Sequence, residues 1–223
     1  MNQVIGDLLP LALGVAVSPV PIIAVILMLL APKATGTSLG FLAGWVVGIV
    51  AAITLFVVLA NVAGLSSSTG PSTAASWIEI ILGALMLLLA ASQWRSRPAP
   101  GEAAVLPKWM AAIDSFTAAK ATGLGFILAA VNPKNLTLCI AAGVAIGSGG
   151  LSTGQDVVAI AVFSVIAAST VAVPVIAYLV ARERMRAPLD SLHTWLVANN
   201  ATVMAVLLLV IGFVLVGKGI GGL

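Results

Sequence analysis

The sequence predicts an all-α membrane protein. It has six transmembrane helices, arranged as two inverted three-helix repeats, with helices 1 and 4 broken at Pro19 and Pro133. Three observations lead there. The chain of 223 residues is 61% hydrophobic and 8% charged, with a mean hydropathy of +1.20, and a soluble domain of that size needs far more polar surface to cover itself. Six apolar runs are each long enough to cross a hydrocarbon core of about 30 Å. Two of them carry proline in the middle, where it removes a backbone donor and clashes with the preceding turn.

The first span is read at 5–30, with Ser18-Pro19-Val20-Pro21 midway along it. No Lys or Arg precedes this run, and it is too long for the apolar part of a cleaved signal, so it is expected to remain as a span. The second, 39–62, carries Gly40, Gly44 and Gly48 every four residues, the pattern of a close-packing helix face. The uncharged 64–76 stretch is a connector. The third span is 77–94, with Glu79 just inside it, placed at an interface near a helix N-terminus rather than in a proton relay. From Arg95 to Gly101 two prolines and a glycine mark a linker. Trp109, Ile113 and Phe116 then fall on one face of an interfacial helix.

The fourth span, 121–147, holds Asn132-Pro133-Lys134-Asn135 near its centre, with Lys134 roughly 20 Å from either end. The lone Cys139 in this span reads as a small packing residue and permits no disulfide within the chain. After a second small-residue connector comes the fifth span, 157–181. Pro174 is expected to kink it, and Ser164, Ser169 and Thr170 are expected to bond backbone or partner helices. A loop with three arginines and His193 leads to the sixth span, 200–217. The chain thus divides into a first repeat (1–94), a cytoplasmic linker (95–120) and a second repeat (121–223).

Orientation follows from the cations. Lys33, Arg95, Arg97, Lys108, Lys120, Arg182, Arg184 and Arg186 fall on one side, and only Lys218 on the other. The positive-inside bias places the first group in the cytoplasm and both termini outside. Sliding the chain by 114 residues lays Pro19 on Pro133, then Gly36, Ser38 and Gly40 on Gly150, Ser152 and Gly154. Each half holds an odd number of spans, so the halves must be oppositely oriented. Substrate sites in such folds form at broken helices near the midplane.

The candidate substrate-binding residues are therefore Ser18, Pro19, Pro21, Asn132, Pro133, Lys134 and Asn135. An intramembrane Lys is a functional hypothesis by default. It suits a carboxylate, sulfate or phosphate, aided by the free N–H groups of the half-helix after Pro133. The competing structural role is to cap carbonyls freed at the break, or to snorkel along a cavity. Asn132 and Asn135 face the same choice. Metal binding is not expected, because acidic pairs and imidazoles are missing at mid-membrane depth. No phosphate-binding loop and no nucleophile–base pair is readable, so neither an enzyme, a cofactor nor a nucleic-acid partner is expected.

With these residues in view, the chain resembles the lysine-exporter (LysE) superfamily. Asn132-Pro133-Lys134 matches its Asn-Pro-Lys signature, and Ser18-Pro19-Val20-Pro21 the first-helix counterpart. Within it, the stretches 18–24, 40–45, Pro107-Lys108-Trp109 and 132–136 are most similar to the glycopeptidolipid-addressing (GAP) or sulfolipid-addressing proteins of actinobacteria. That resemblance implies movement of envelope glycolipids across a bacterial inner membrane, alongside a larger lipid exporter. The superfamily's thiol-redox branch would need cysteines where Ser18 and Asn132 stand. Two other readings stay open: export of a small amino acid or metabolite, and a non-transporting accessory subunit of a lipid synthesis or export complex. The candidate partners are membrane lipids, an anionic or glycosylated amphiphile, the larger exporter and further copies of the chain.

Overall fold

The structure, a computed structural model, describes residues 1–67, 70–71, 73–98 and 108–223. Residues 99–107 of the expected linker, including Pro107, fall outside the described residues, as does the side chain of Lys108. The described chain is almost wholly helical. Helices α1 (Asn2–Ala16) and α2 (Pro19–Leu30) precede α3 (Ala34–Val62) and α4 (Thr73–Arg95). Then come α5 (Ala118–Ala130), α6 (Pro133–Gly147), α7 (Thr153–Val180) and α8 (Arg182–Gly221). Between α3 and α4, two-residue strands β1 (Ser66–Ser67) and β2 (Gly70–Pro71) pair antiparallel.

Four helices (α3, α4, α7 and α8) are long and apolar enough to cross a membrane, and six crossings result if each bent pair counts as one. The bends are 50° between α1 and α2 and 58° between α5 and α6. Both have one cause. Pro19 and Pro133 each open a new helix at its first position, where the missing N–H does no harm. The residue before each proline is pushed out of the helical region, Ser18 to ψ 107° and Asn132 to ψ 123°. Large apolar side chains such as Val47, Leu88, Val165 and Phe213 are exposed on the bundle's outside. Patches of that kind are a liability in water and ordinary against lipid. This is the construction of a multi-pass membrane protein.

The interior is tied together by small residues. A Cβ on Gly40, Gly44 or Gly48 would run into the backbone of α5 at Ala118, Thr122 or Phe126, and Gly125 of α5 sits as closely on Phe41. The four-residue glycine pattern is therefore buried against the chain's own fifth helix and is not free for another protein. Gly143 and Gly147 bring α6 onto Phe56 and Ala60 of α3, while Gly83 and Gly212 bring α4 onto α8. Trp45, Phe41, Phe163 and Tyr178 are the largest side chains sealed between these helices.

At one end of the bundle, Lys218 of α8 holds two carboxylates at once. Its Nζ lies 3.0 Å from Asp7 Oδ2 on α1 and 2.9 Å from Glu79 Oε1 on α4. Glu79, read as an interface residue near a helix start, is only 5% exposed. At the other end, Arg97 lies over the Trp94 ring and Arg182 over the Tyr178 ring.

Three expectations need correction. The segment from Arg182 to Asn199, read as a loop, is helical and continuous with the sixth span, so α8 has 40 residues. It is helical because Met185, Leu189 and Leu196 line one face and pack inward while the arginines stay exposed. At about 1.5 Å per residue α8 would be about 60 Å long if straight, twice the thickness of a hydrocarbon core. His193 lies on this helix, not in a loop. Second, Lys108–Ser115 is a 3-10 helix and not an α-helix. Met110 and Ile113 are buried in the core, Trp109 and Phe116 are half-buried against it, and the element packs on α2. Third, the 114-residue register holds at the breaks and then drifts. Gly36, Ser38 and Gly40 lie inside α3, whereas Gly150, in the left-handed region at φ +62°, and Ser152 lie in the turn before α7.

Candidate functional site

The second break is the more polar of the two. Asn132 caps α6, its Oδ1 accepting from the Lys134 backbone N–H at 3.1 Å. Thr137 Oγ1 donates to the Pro133 carbonyl at 2.7 Å, closing the first turn. Asn135 is fully buried, and its Nδ2 donates to the Leu128 carbonyl at 2.9 Å, one of those left open where α5 ends. Both asparagines therefore do structural work. Asn135 does so with only one end, because its Oδ1 is buried without a hydrogen-bond partner among the described residues.

Lys134 is different. It is 4% exposed, and its Nζ is buried with no hydrogen-bond partner among the described residues. It caps no carbonyl at the break. Pro133, its neighbour, is exposed. The Lys134 amine, the bare Asn135 amide oxygen and the N-terminus of α6 thus all belong to the bend between α5 and α6. The positive end of that helix adds to the lysine's attraction for an anion.

The first break is apolar by comparison. Ser18, Pro19 and Pro21 are buried, and Ser18 makes no side-chain cap bond to α2. The Ala16 carbonyl, freed where α1 ends, is instead taken by the Thr170 hydroxyl of α7. Thr170 was expected only to bond backbone or a partner helix; nothing local marks it as the residue that closes the first break, since the partners are 154 positions apart. The two breaks lie at similar depth. Gly14, about one turn before the first, packs against Leu138, about one turn after Lys134. No hydrogen bond among the described residues joins Ser18, Pro19 or Pro21 to Lys134.

Other buried polar atoms also lack hydrogen-bond partners among the described residues. They are Trp45 Nε1, Ser76 Oγ, Ser164 Oγ, His193 Nε2 and Asn200 Oδ1. Sequence reasoning passed over Trp45 because an indole in an apolar helix reads as packing. Ser169 donates to the Ile166 carbonyl at 2.7 Å. No three His, Cys, Asp or Glu side chains gather into a ligand set among the described residues.

No curated protein and no solved structure matches the chain. One family model does, that of the Sap, sulfolipid-1-addressing protein, over residues 8–221. The match runs through both breaks, the glycine-packed pair α3 and α5, and all of α7. On that coverage, this multi-pass helical chain belongs to the sulfolipid-1-addressing protein family.

Proposed function

We propose that the chain is an inner-membrane transporter that moves an envelope glycolipid or similar anionic amphiphile, with its site at the midplane between the two broken helices. The observation that carries this is Lys134. An amine sealed from water with no partner among the described residues is costly for the resting protein, and a ligand's anionic group would relieve that cost. The family's link to sulfolipid addressing supports a lipid with an anionic head. The alternating-access reading needs six spans in two inverted repeats, in keeping with the lysine-exporter likeness. The packing supports it: exchanging α1–α4 for α5–α8 turns α3 against α5 into α7 against α1, and α2 against α8 into α6 against α4, and all four pairs occur. Both termini would lie outside, with the arginine-rich ends in the cytoplasm.

A second reading, export of a small acid, is favoured by the tight enclosure of Lys134, which suits a small carboxylate as well as a head group. The test is transport by reconstituted wild-type protein and Lys134→Ala. A fluorescent anionic glycolipid and a labelled amino acid are followed in parallel. Lys134-dependent movement of the lipid supports the proposal; movement of the amino acid alone promotes the second reading.

A further inference from the structure

A groove of about 390 Å³ runs along the outside of the first break. Ile22 of α2 forms one wall, Thr170, Val173 and Pro174 of α7 the floor, and Leu192 and Leu196 of α8 the other wall. Its volume lies within the range of small-molecule sites, about 300–1,000 Å³. It offers a ligand almost nothing polar. Ser169 and Thr170 also border it, but both hydroxyls already donate to backbone carbonyls. The groove opens sideways, since Val173 is 62% and Leu192 38% exposed. In a membrane such an opening faces acyl chains. An apolar slot beside a transport site has one natural occupant there, a lipid tail.

The charge near it favours an anionic lipid, three arginines on α8 outweighing Glu183 and Asp190. The α8 wall of the groove continues, two to three turns toward the N-terminus, into Arg182, Arg184 and Arg186. All three are exposed, and Arg182 is steadied over the Tyr178 ring. Basic residues at a membrane surface attract anionic head groups. The same residue that lines the groove also holds the first break, because Thr170 bonds the Ala16 carbonyl. A tail in the groove therefore presses on the element that closes α1.

We infer that the groove between α2, α7 and α8 is the tail subsite of an anionic lipid whose head group sits at the arginines opening α8. This deepens the amphiphile reading by naming where the tail sits and from which side the molecule enters. The site is separate from Lys134, so entry and head-group binding are separable steps.

The test uses full-length protein in phosphatidylcholine nanodiscs. Two probes carry a diazirine in the acyl tail: phosphatidylglycerol and phosphatidylcholine. The inference expects labelling of the segments carrying Val173 and Leu192–Leu196, at least about fivefold stronger with the anionic probe. Val173→Trp fills the groove from an exposed position and should cut that labelling by about tenfold without unfolding the protein. Replacing the three arginines with glutamine should bring the two probes level. Equal labelling by both probes in the wild type, or labelling indifferent to Val173→Trp, would mean ordinary surrounding lipid and would overturn the inference. Lys134→Ala should leave groove labelling unchanged. Groove labelling without Lys134-dependent transport would sink the transporter reading while leaving the tail site standing.

Discussion

Replacing Lys134 by methionine should make the protein more stable and less active. Lys134 is 4% exposed, and its Nζ has no hydrogen-bond partner among the described residues. A buried polar group left unpaired costs about 1–3 kcal/mol, more if charged. Methionine keeps the chain length, fills the same volume and removes the polar end, so little is lost in packing. The expected gain is about 1–3 kcal/mol, and at about 2–4 °C per kcal/mol for a chain of this size, Tm should rise by about 2–12 °C. The protein carries its own reporter. Its single cysteine, Cys139, is fully buried, so a thiol-reactive dye in detergent reads unfolding directly. Transport should fall about 10–100-fold, the loss of one charge-assisted contact worth about 1.5–3 kcal/mol. A ligand that raises the wild-type Tm through linkage should no longer raise that of the variant. The reasoning is refuted if Lys134→Met lowers Tm by several degrees while the ligand still stabilises it. Lys134 would then be a structural member of the break and not a binding group.

Other perturbations probe the scaffold. Gly44→Val should be strongly destabilising, by at least about 1–3 kcal/mol, because its Cβ meets the Thr122 carbonyl of α5, whereas Gly36→Ala, with open space around it, should be neutral or slightly stabilising in the same thermal assay. Lys218→Met should cost about 3–5 kcal/mol by stranding the buried Glu79, while Asp7→Asn, removing a partner that is 29% exposed, should cost no more than about 1 kcal/mol; a larger effect at Asp7 would contradict the ranking. Asn132→Ala should cost about 1 kcal/mol through the lost cap, and Ser18→Ala less, since Ser18 makes no side-chain cap bond. Thr170→Val should cost about 1 kcal/mol by freeing the Ala16 carbonyl, and hydrogen exchange at the end of α1 should rise with it.

What could be read from the chain was local. Pro19 and Pro133 announce their breaks because proline acts on its own turn, and the apolar runs mark the spans because lipid demands them. Span ends were less legible. Arg182 to His193 looked like a loop since charge and Pro188 outweighed the inward face of Met185, Leu189 and Leu196, a weak helical period in a charged stretch. At Lys108–Ser115 the apolar residues Trp109 and Ile113 stand at α-helical spacing, and only backbone hydrogen bonding separates a short 3-10 helix from an α-helix. The glycine match between the halves misled by a few residues: composition supplies Gly and Ser in both a helix and a turn, and only backbone geometry separates them. Contacts between distant segments left no sequence signal at all. Thr170 on Ala16 and Lys218 on Asp7 bring together residues far apart in the chain, each unremarkable alone. Lys134 was conspicuous in sequence, but that its amine lacks a partner among the described residues is a fact of packing.

The most direct test of the central claim is transport in liposomes, comparing wild type with Lys134→Ala, with a fluorescent anionic glycolipid as cargo. Lipid movement in the wild type that falls at least about tenfold in the variant, with both proteins equally folded by the Cys139 dye assay, is the result expected from losing a charge-assisted contact. Equal lipid movement by both proteins would contradict it and remove Lys134 from the site.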